Sequence, residues 1–261
     1  VHLSRIGFRA VMLPLFTALF LAQCVRAIKG HRLRHWVAAG ALYGAAWYTY
    51  MAVRFTPIVL AALVGYGLLY HRDAAKRHWK GALAFCAAAL VVLLPLGLYT
   101  LRYPEIVMVR TGHVSILNPD INQGDFLGTL ARHTWRTLGM FFVQGDRIWR
   151  HNLAGRPIWD PALGLAFVIG LGAAIGRFRR DAGAAMAVIW TALMLLPTLL
   201  AEDAPHFLRG VGILPVAALL PALGLAWIED QAARIPARVA RTLPLVLWAV
   251  GLGSTTYDYF T

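Results

Sequence analysis

Three short polar stretches in an otherwise apolar chain hold the residues whose chemistry invites a function. The densest is Gly145 to Pro157, which carries Asp146, Arg147, Arg150, His151 and Arg156. Three arginines so close together could cradle a pyrophosphate, because the guanidinium fork matches phosphate oxygens in pairs. Asp146 could instead serve as a cap or pair with Arg150, and the run would then be purely structural. The second stretch, Glu202 to Arg209, sets His206 and Arg209 three residues apart after Pro205. If a helix begins there, both lie on one face, and its N-terminus favours an anionic group. Glu202 and Asp203 could act as general base or metal ligands, or simply neutralise the cations of a connecting turn. The third position is Arg54, at the junction of two apolar blocks beside Tyr48, Tyr50 and Phe55. An ionisable group at that depth points to a lipid phosphate. The competing reading is an interfacial arginine reaching out to headgroups within an aromatic belt.

Familiar catalytic patterns are missing. There is no P-loop, GxSxG, HExxH or GxGxxG in a proper context, so nucleotide hydrolysis and serine hydrolase chemistry have no support. The two cysteines, Cys24 and Cys86, lie inside apolar blocks, with no CxxC and no His/Cys spacing of a metal site. They read as small buried hydrophobes, and spacing alone names no metal ligand set.

The elements that must position these residues follow from composition. Of 261 residues, 59 % are hydrophobic and 14 % charged, against about 45–50 % and about 25 % in an ordinary soluble domain. A soluble enzyme, a disordered chain and a disulfide-stapled domain are all excluded. The net charge of +13 sits largely in short loops between apolar blocks. That distribution signals topology rather than nucleic-acid binding, since no basic face with interleaved aromatics stands outside a span.

The apolar blocks run approximately 8–28, 36–53, 55–70, 81–101, 161–176, 183–201, 211–228 and 242–254. The expected fold is an all-α, polytopic transmembrane helix bundle of about eight spans, forming a single integral-membrane domain over 1–261. Pro57 disfavours helical geometry at Thr56 and sets a turn there; Pro95 is expected to kink the fourth span. The loops after blocks one, three, five and seven are basic, which orients them to the cytoplasm. Residues 1–7, the Arg54 turn, the 102–160 loop, the Glu202–Arg209 turn and the C-terminal tail then share the opposite, extracytoplasmic side. The 102–160 loop holds seven Arg and five Asp or Glu and is too long to be a mere connector. It is expected to cap the outer ends of the spans and to carry a helix over 126–143 lying along the membrane surface. The chain begins with Val1 and stops just after a span, so it is expected to be a piece of a longer one.

Several phrases resemble the polyprenyl-phosphate-dependent glycosyltransferases of family 39, within the membrane-embedded glycosyltransferase C superfamily. His2-Leu3-Ser4-Arg5-Ile6-Gly7-Phe8-Arg9 with Pro14 resembles an outer-face segment of that group. Tyr48-Thr49-Tyr50 with Arg54 and Pro57 resembles a hinge between two of its spans. Gly145-Asp146, Arg150-His151-Asn152, Gly155-Arg156-Pro157 and Asp160-Pro161 look like its loop before a later span. Pro205-His206, Leu208-Arg209 and Pro215 look like its next outer turn. These pieces occur in order over most of the chain.

The resemblance implies transfer of a sugar from a polyprenyl-phosphate donor to a lipid, glycan or protein acceptor at the extracytoplasmic face of a bacterial plasma membrane, with inversion at the anomeric carbon. It assigns Arg5, Arg54, His206 and Arg209 to the donor phosphate or sugar, with Asp146, Arg150, His151, Glu202 and Asp203 as secondary candidates. The family's catalytic acid lies in a first outer loop upstream of Val1, so no residue of this chain is assigned as the base. No cofactor is certain, and a divalent metal is left open. The implied partners are the donor, membrane lipids and an acceptor of unknown identity. The alternatives are a transporter or flippase, which would put charges at mid-depth in related halves, and a non-catalytic membrane scaffold.

Overall fold

A computed structural model describes residues 7, 9–105, 115–232 and 237–260. Among them the regular structure is helical, and an isolated bridge between Ser115 and Ala201 is the nearest approach to a sheet. The principal helices are α1 (Met12–Gly30), α2 (Leu33–Ala46), α3 (Thr56–Tyr70), α4 (Trp79–Arg102), α5 (Phe126–Gly139), α6 (Pro161–Arg177), α7 (Ala182–Met194), α8 (Leu219–Ala232) and α9 (Ala237–Phe260). Short 3-10 turns at Met51–Phe55 and Arg209–Ile213 lead into α3 and towards α8.

Among the described residues, five helical stretches are long and apolar enough to cross a membrane: Arg9–Gly30, Met51–Tyr70, Trp79–Arg102, Ala182–Leu199 and Arg209–Gln231. The expected eight spans are therefore not reached on length and composition, and the physical reasons differ. α2 has 14 residues and α6 has 17. At 1.5 Å per residue they rise about 21 and about 26 Å, short of a bilayer core of about 30 Å. The block expected at 36–53 is broken because α2 stops at Ala46 and the chain turns through Tyr50 before re-forming a helix. α9 is long but carries Arg238, Arg241 and Asp258 along its length. α4 runs unbroken through Pro95.

The exposed surface of these helices is itself apolar. On α4 only Gly81 and Ala89 are buried, while Leu90, Val91, Leu94, Leu98 and Leu101 face outward. In water such a surface would be an aggregation hazard; in lipid it is the solvated side. Since lipid tails are as greasy as leucine, helices must associate by close packing of small residues. Gly40 and Gly44 lie one turn apart on α2, and a Cβ on Gly40 would run into the Phe85 carbonyl of α4. Gly170 of α6 and Gly224 of α8 make a reciprocal crossing, Gly170 against the Leu220 carbonyl and Gly224 against the Ala166 carbonyl.

The core joins the two halves of the chain. Phe20 of α1 meets Tyr43 of α2 edge-on at 5.4 Å and Trp190 of α7 at 6.1 Å. Trp190 donates its indole N–H to the Gly212 carbonyl at 2.9 Å, which docks α7 on the 3-10 turn that opens with Arg209. Leu13, at the start of α1, also approaches Gly212. The Met51–Phe55 turn packs on the Arg209–Ile213 turn and on the Leu196–Leu199 turn that follows α7. The starts of α1, α3 and the 209–231 stretch thus meet the end of the 182–199 stretch.

The basic turns gather elsewhere. His31 stacks on His78 at 5.1 Å, and Tyr66 reaches both His71 and the Phe178 carbonyl. The turns after α1, α3 and α6 therefore lie near one another.

Candidate functional site

The described part of the 102–160 loop closes over the end where the 182–199 stretch finishes. Ile116 donates its N–H to the Leu200 carbonyl, and His133 Nδ1 lies 3.2 Å from the Leu199 carbonyl. α5 begins with Asp125 capping the Gly128 N–H at 2.8 Å. It ends at Gly139 rather than continuing to Val143. Its polar Thr129, His133 and Thr137 are buried, whereas Leu127, Trp135 and Leu138 are exposed. The exposed face is mixed, since Arg132 and Arg136 are exposed beside these apolar residues.

Beyond α5 the chain doubles back on itself. Ile158 N–H bonds to the Met140 carbonyl, Trp159 N–H to Phe141, Gly145 N–H to Gly155, and Gly155 N–H to Asp146. Two glycines make this possible. A Cβ on Gly145 would strike the Arg156 carbonyl, and Gly155 turns at φ +80°, a region that glycine enters without steric cost.

Inside this narrow loop Asp146 folds the chain around its own carboxylate. Oδ1 accepts the Ile148 N–H at 2.8 Å, and Oδ2 lies 2.6 Å from His151 Nδ1. Oδ2 also accepts the Phe207 N–H at 2.9 Å, from the second polar stretch. The neighbouring His206 donates its N–H to Thr198 Oγ1 at 2.8 Å. Its ring lies 4.7 Å from that of His151, inclined by 44°. Asp146, His151 and His206 are all buried.

Burial and charge set the protonation states. Burial would push the Asp146 carboxyl up, but the bonds from His151, Ile148 and Phe207 outweigh it and hold the group below its ordinary value. For His206, burial lowers the pKa, and the Arg209 guanidinium and then the neighbouring His151 lower it further, to about 4. His206 is therefore neutral near pH 7.

Arg209 opens the 3-10 turn and donates from Nη2 to Glu202 Oε1 at 2.9 Å. Its Nη1 is buried with no hydrogen-bond partner among the described residues. Beside this group lies a groove of about 820 Å³, lined by Trp135, Arg136 and Phe142 from α5 and its exit, by Asp146 and Arg147, and by Glu202 to Pro205. Asp146 forms part of its wall, and Glu202 is shared between groove and Arg209.

The sequence candidates divide accordingly. Asp146, His151, Glu202, Asp203, His206 and Arg209 come together. Arg54 is exposed on a turn packed against the one that Arg209 opens. Arg5 lies outside the described residues. The pairing of Asp146 with Arg150 is not observed: Asp146 takes His151, and Arg150 is exposed. Nor do the three loop arginines form one cradle. Arg147 lines the groove, but Arg156 is turned to α9, where Nε meets Asp258 Oδ2 at 2.9 Å and Nη2 meets Thr255 Oγ1 at 2.9 Å. Two participants had no signal in the sequence: Thr198, one of many threonines in apolar helices, and the backbone N–H of Phe207. Comparison of the chain with protein-family models, with curated proteins and with solved structures finds no match in any of the three.

Proposed function

We propose that this protein is a membrane-embedded transferase that takes a sugar from a polyprenyl-phosphate donor at the extracytoplasmic headgroup level. The observation that carries the reading is Arg209. Nη2 of its guanidinium is fixed by Glu202, and Nη1 is buried with no partner among the described residues. A buried, oriented N–H donor without an acceptor is costly in the free protein and becomes satisfied when an anionic oxygen arrives. Departure of a lipid phosphate from the anomeric carbon builds negative charge on that oxygen, and a preorganised cation lowers the barrier.

The surroundings support this role. The turn bearing Arg54 abuts the turn bearing Arg209, so a second cation lies on the adjoining element. A groove of about 820 Å³, whose wall includes Glu202, the partner of Arg209, has the capacity for a sugar. The apolar outer faces of the helices suit a prenyl chain arriving laterally from the bilayer. In this reading the basic turns at the opposite end face the cytoplasm of a bacterial cell. α5 then lies in the interface, with Leu127, Trp135 and Leu138 toward lipid. The acceptor and its base are left unassigned.

The test is sugar transfer by the full-length protein in liposomes supplied with polyprenyl-phosphate-linked donors. Arg209→Ala and Arg54→Ala should each reduce transfer, chiefly by weakening donor use. Unchanged kinetics in both variants would remove the phosphate site from the account.

A further inference from the structure

Asp146, His151 and His206 come from two polar stretches 55 residues apart, yet each offers one ligand atom and these atoms all lie within 4.8 Å of one another. All three residues are buried, and their supports are independent. Asp146 is fixed by the N–H groups of Ile148 and Phe207, His206 by Thr198, and His151 by its own N–H to the Ile148 carbonyl. A hydrogen-bonded pin between loop and turn would need only Asp146 and the Phe207 N–H. It would not need two imidazole rings brought within 4.7 Å of each other in the same buried space.

Two imidazoles and one carboxylate form a donor set with a definite preference. Magnesium and calcium take oxygen ligands, whereas imidazole nitrogen suits zinc and its neighbours. Zinc holds such ligands at about 2.0–2.2 Å, which places tetrahedral ligand atoms about 3.3 Å apart. The 2.6 Å Asp146–His151 contact would open slightly, and the ligand atoms, already within 4.8 Å of one another, would draw together. These are side-chain adjustments on the order of 1 Å. Asp146 also lines the groove, which provides the route for the ion and the space for a fourth ligand.

We propose that Asp146, His151 and His206 bind one divalent transition cation of the zinc type, clamping the 145–156 loop to the turn that precedes Arg209. Binding requires His151 to present a bare ring nitrogen: a neutral imidazole moves its one proton to the other ring nitrogen and none is released, whereas an imidazolium gives one up to solvent as the cation enters. The proposal is independent of the transfer reading, and its readout is metal content rather than activity.

The experiment uses the untagged full-length protein in detergent, stripped with a chelator and then equilibrated with Zn²⁺ alone or with Zn²⁺ plus excess Mg²⁺. The expected result is about one zinc per chain that magnesium does not displace. His206→Gln, which keeps the Asp146 bonds, should bind zinc at least tenfold more weakly while eluting as the wild type does. X-ray absorption of the wild-type zinc protein is independent of variant folding and should show nitrogen and oxygen neighbours with imidazole scattering. No retained zinc, equal zinc in wild type and His206→Gln, or an all-oxygen or sulfur shell would each overturn the proposal.

Discussion

The carboxylate of Asp146 lies 2.6 Å from His151 Nδ1 and also accepts the N–H of Phe207. One side chain therefore closes a local turn and joins that turn to a segment 61 residues away. Buried and carrying three bonds, it is the point at which the two polar stretches become one site.

Asp146→Ala should be the most damaging single change in the loop. It leaves the buried N–H groups of Ile148 and Phe207 without their acceptor and His151 without its partner. The expected cost is about 2–4 kcal/mol, read as a fall in the unfolding midpoint in detergent. Asp146→Asn retains an acceptor oxygen and should cost less.

Acid should destabilise the chelator-treated protein in a defined window. His206 has a folded pKa of about 4 against an ordinary 6.5. Between those values the unfolded chain binds the proton that the folded one refuses. Stability is therefore fully present above about pH 6.5 and is lost as the pH falls towards 4. The depressed Asp146 carboxyl acts with the same sign, but only below its ordinary value of 3.8. His206→Gln should flatten the midpoint-versus-pH curve between pH 6.5 and 4; an unchanged slope would assign it to another group.

Arg209→Ala should separate function from stability. Its ion pair with Glu202 is partly exposed, and such pairs contribute about 1 kcal/mol or less. The unfolding midpoint should barely move, while the donor KM rises about tenfold, equivalent to about 1.4 kcal/mol. Liposome transfer assays over a range of donor concentration measure the second quantity.

Gly170→Leu should disrupt the α6–α8 crossing. The added Cβ meets the Leu220 carbonyl, a backbone atom that cannot swing aside. Overpacking costs about 1–3 kcal/mol, sometimes more. Gly172→Leu, two residues along the same helix and in open space, is the control and should be tolerated. Thermal unfolding of the pair tests the packing directly.

Arg156→Ala should release α9 without unfolding the rest. Arg156 bonds to Asp258 and Thr255 near the end of that helix. The pair is partly exposed, so the change should cost less than about 1 kcal/mol. Faster proteolysis within α9 at unchanged global stability is the expected signature.

The sequence by itself determined which segments are helices, because hydropathy and helix signals are local. Asp160 before Pro161 caps α6, Asp125 caps α5, and Asp181 caps α7 as their types and positions require. It also determined the division of the turns into basic and non-basic sets, and it singled out the ionisable residues that the site uses, though not Thr198 or the Phe207 N–H. Tertiary structure decided which of them are partners. Whether Asp146 meets Arg150 or His151 depends on the turn that its own carboxylate builds, and Arg156 is claimed by a helix about a hundred residues later. His206 joins Asp146 and His151 only because Phe207 and Thr198 hold its backbone in place. Helix length was settled there too: α2 ends at Ala46, and the chain returns so that the Thr56 hydroxyl meets the Tyr43 hydroxyl at 3.1 Å. Apolar content accumulates residue by residue along the chain, but a partnership between side chains exists only after distant backbones have been brought within 3 Å.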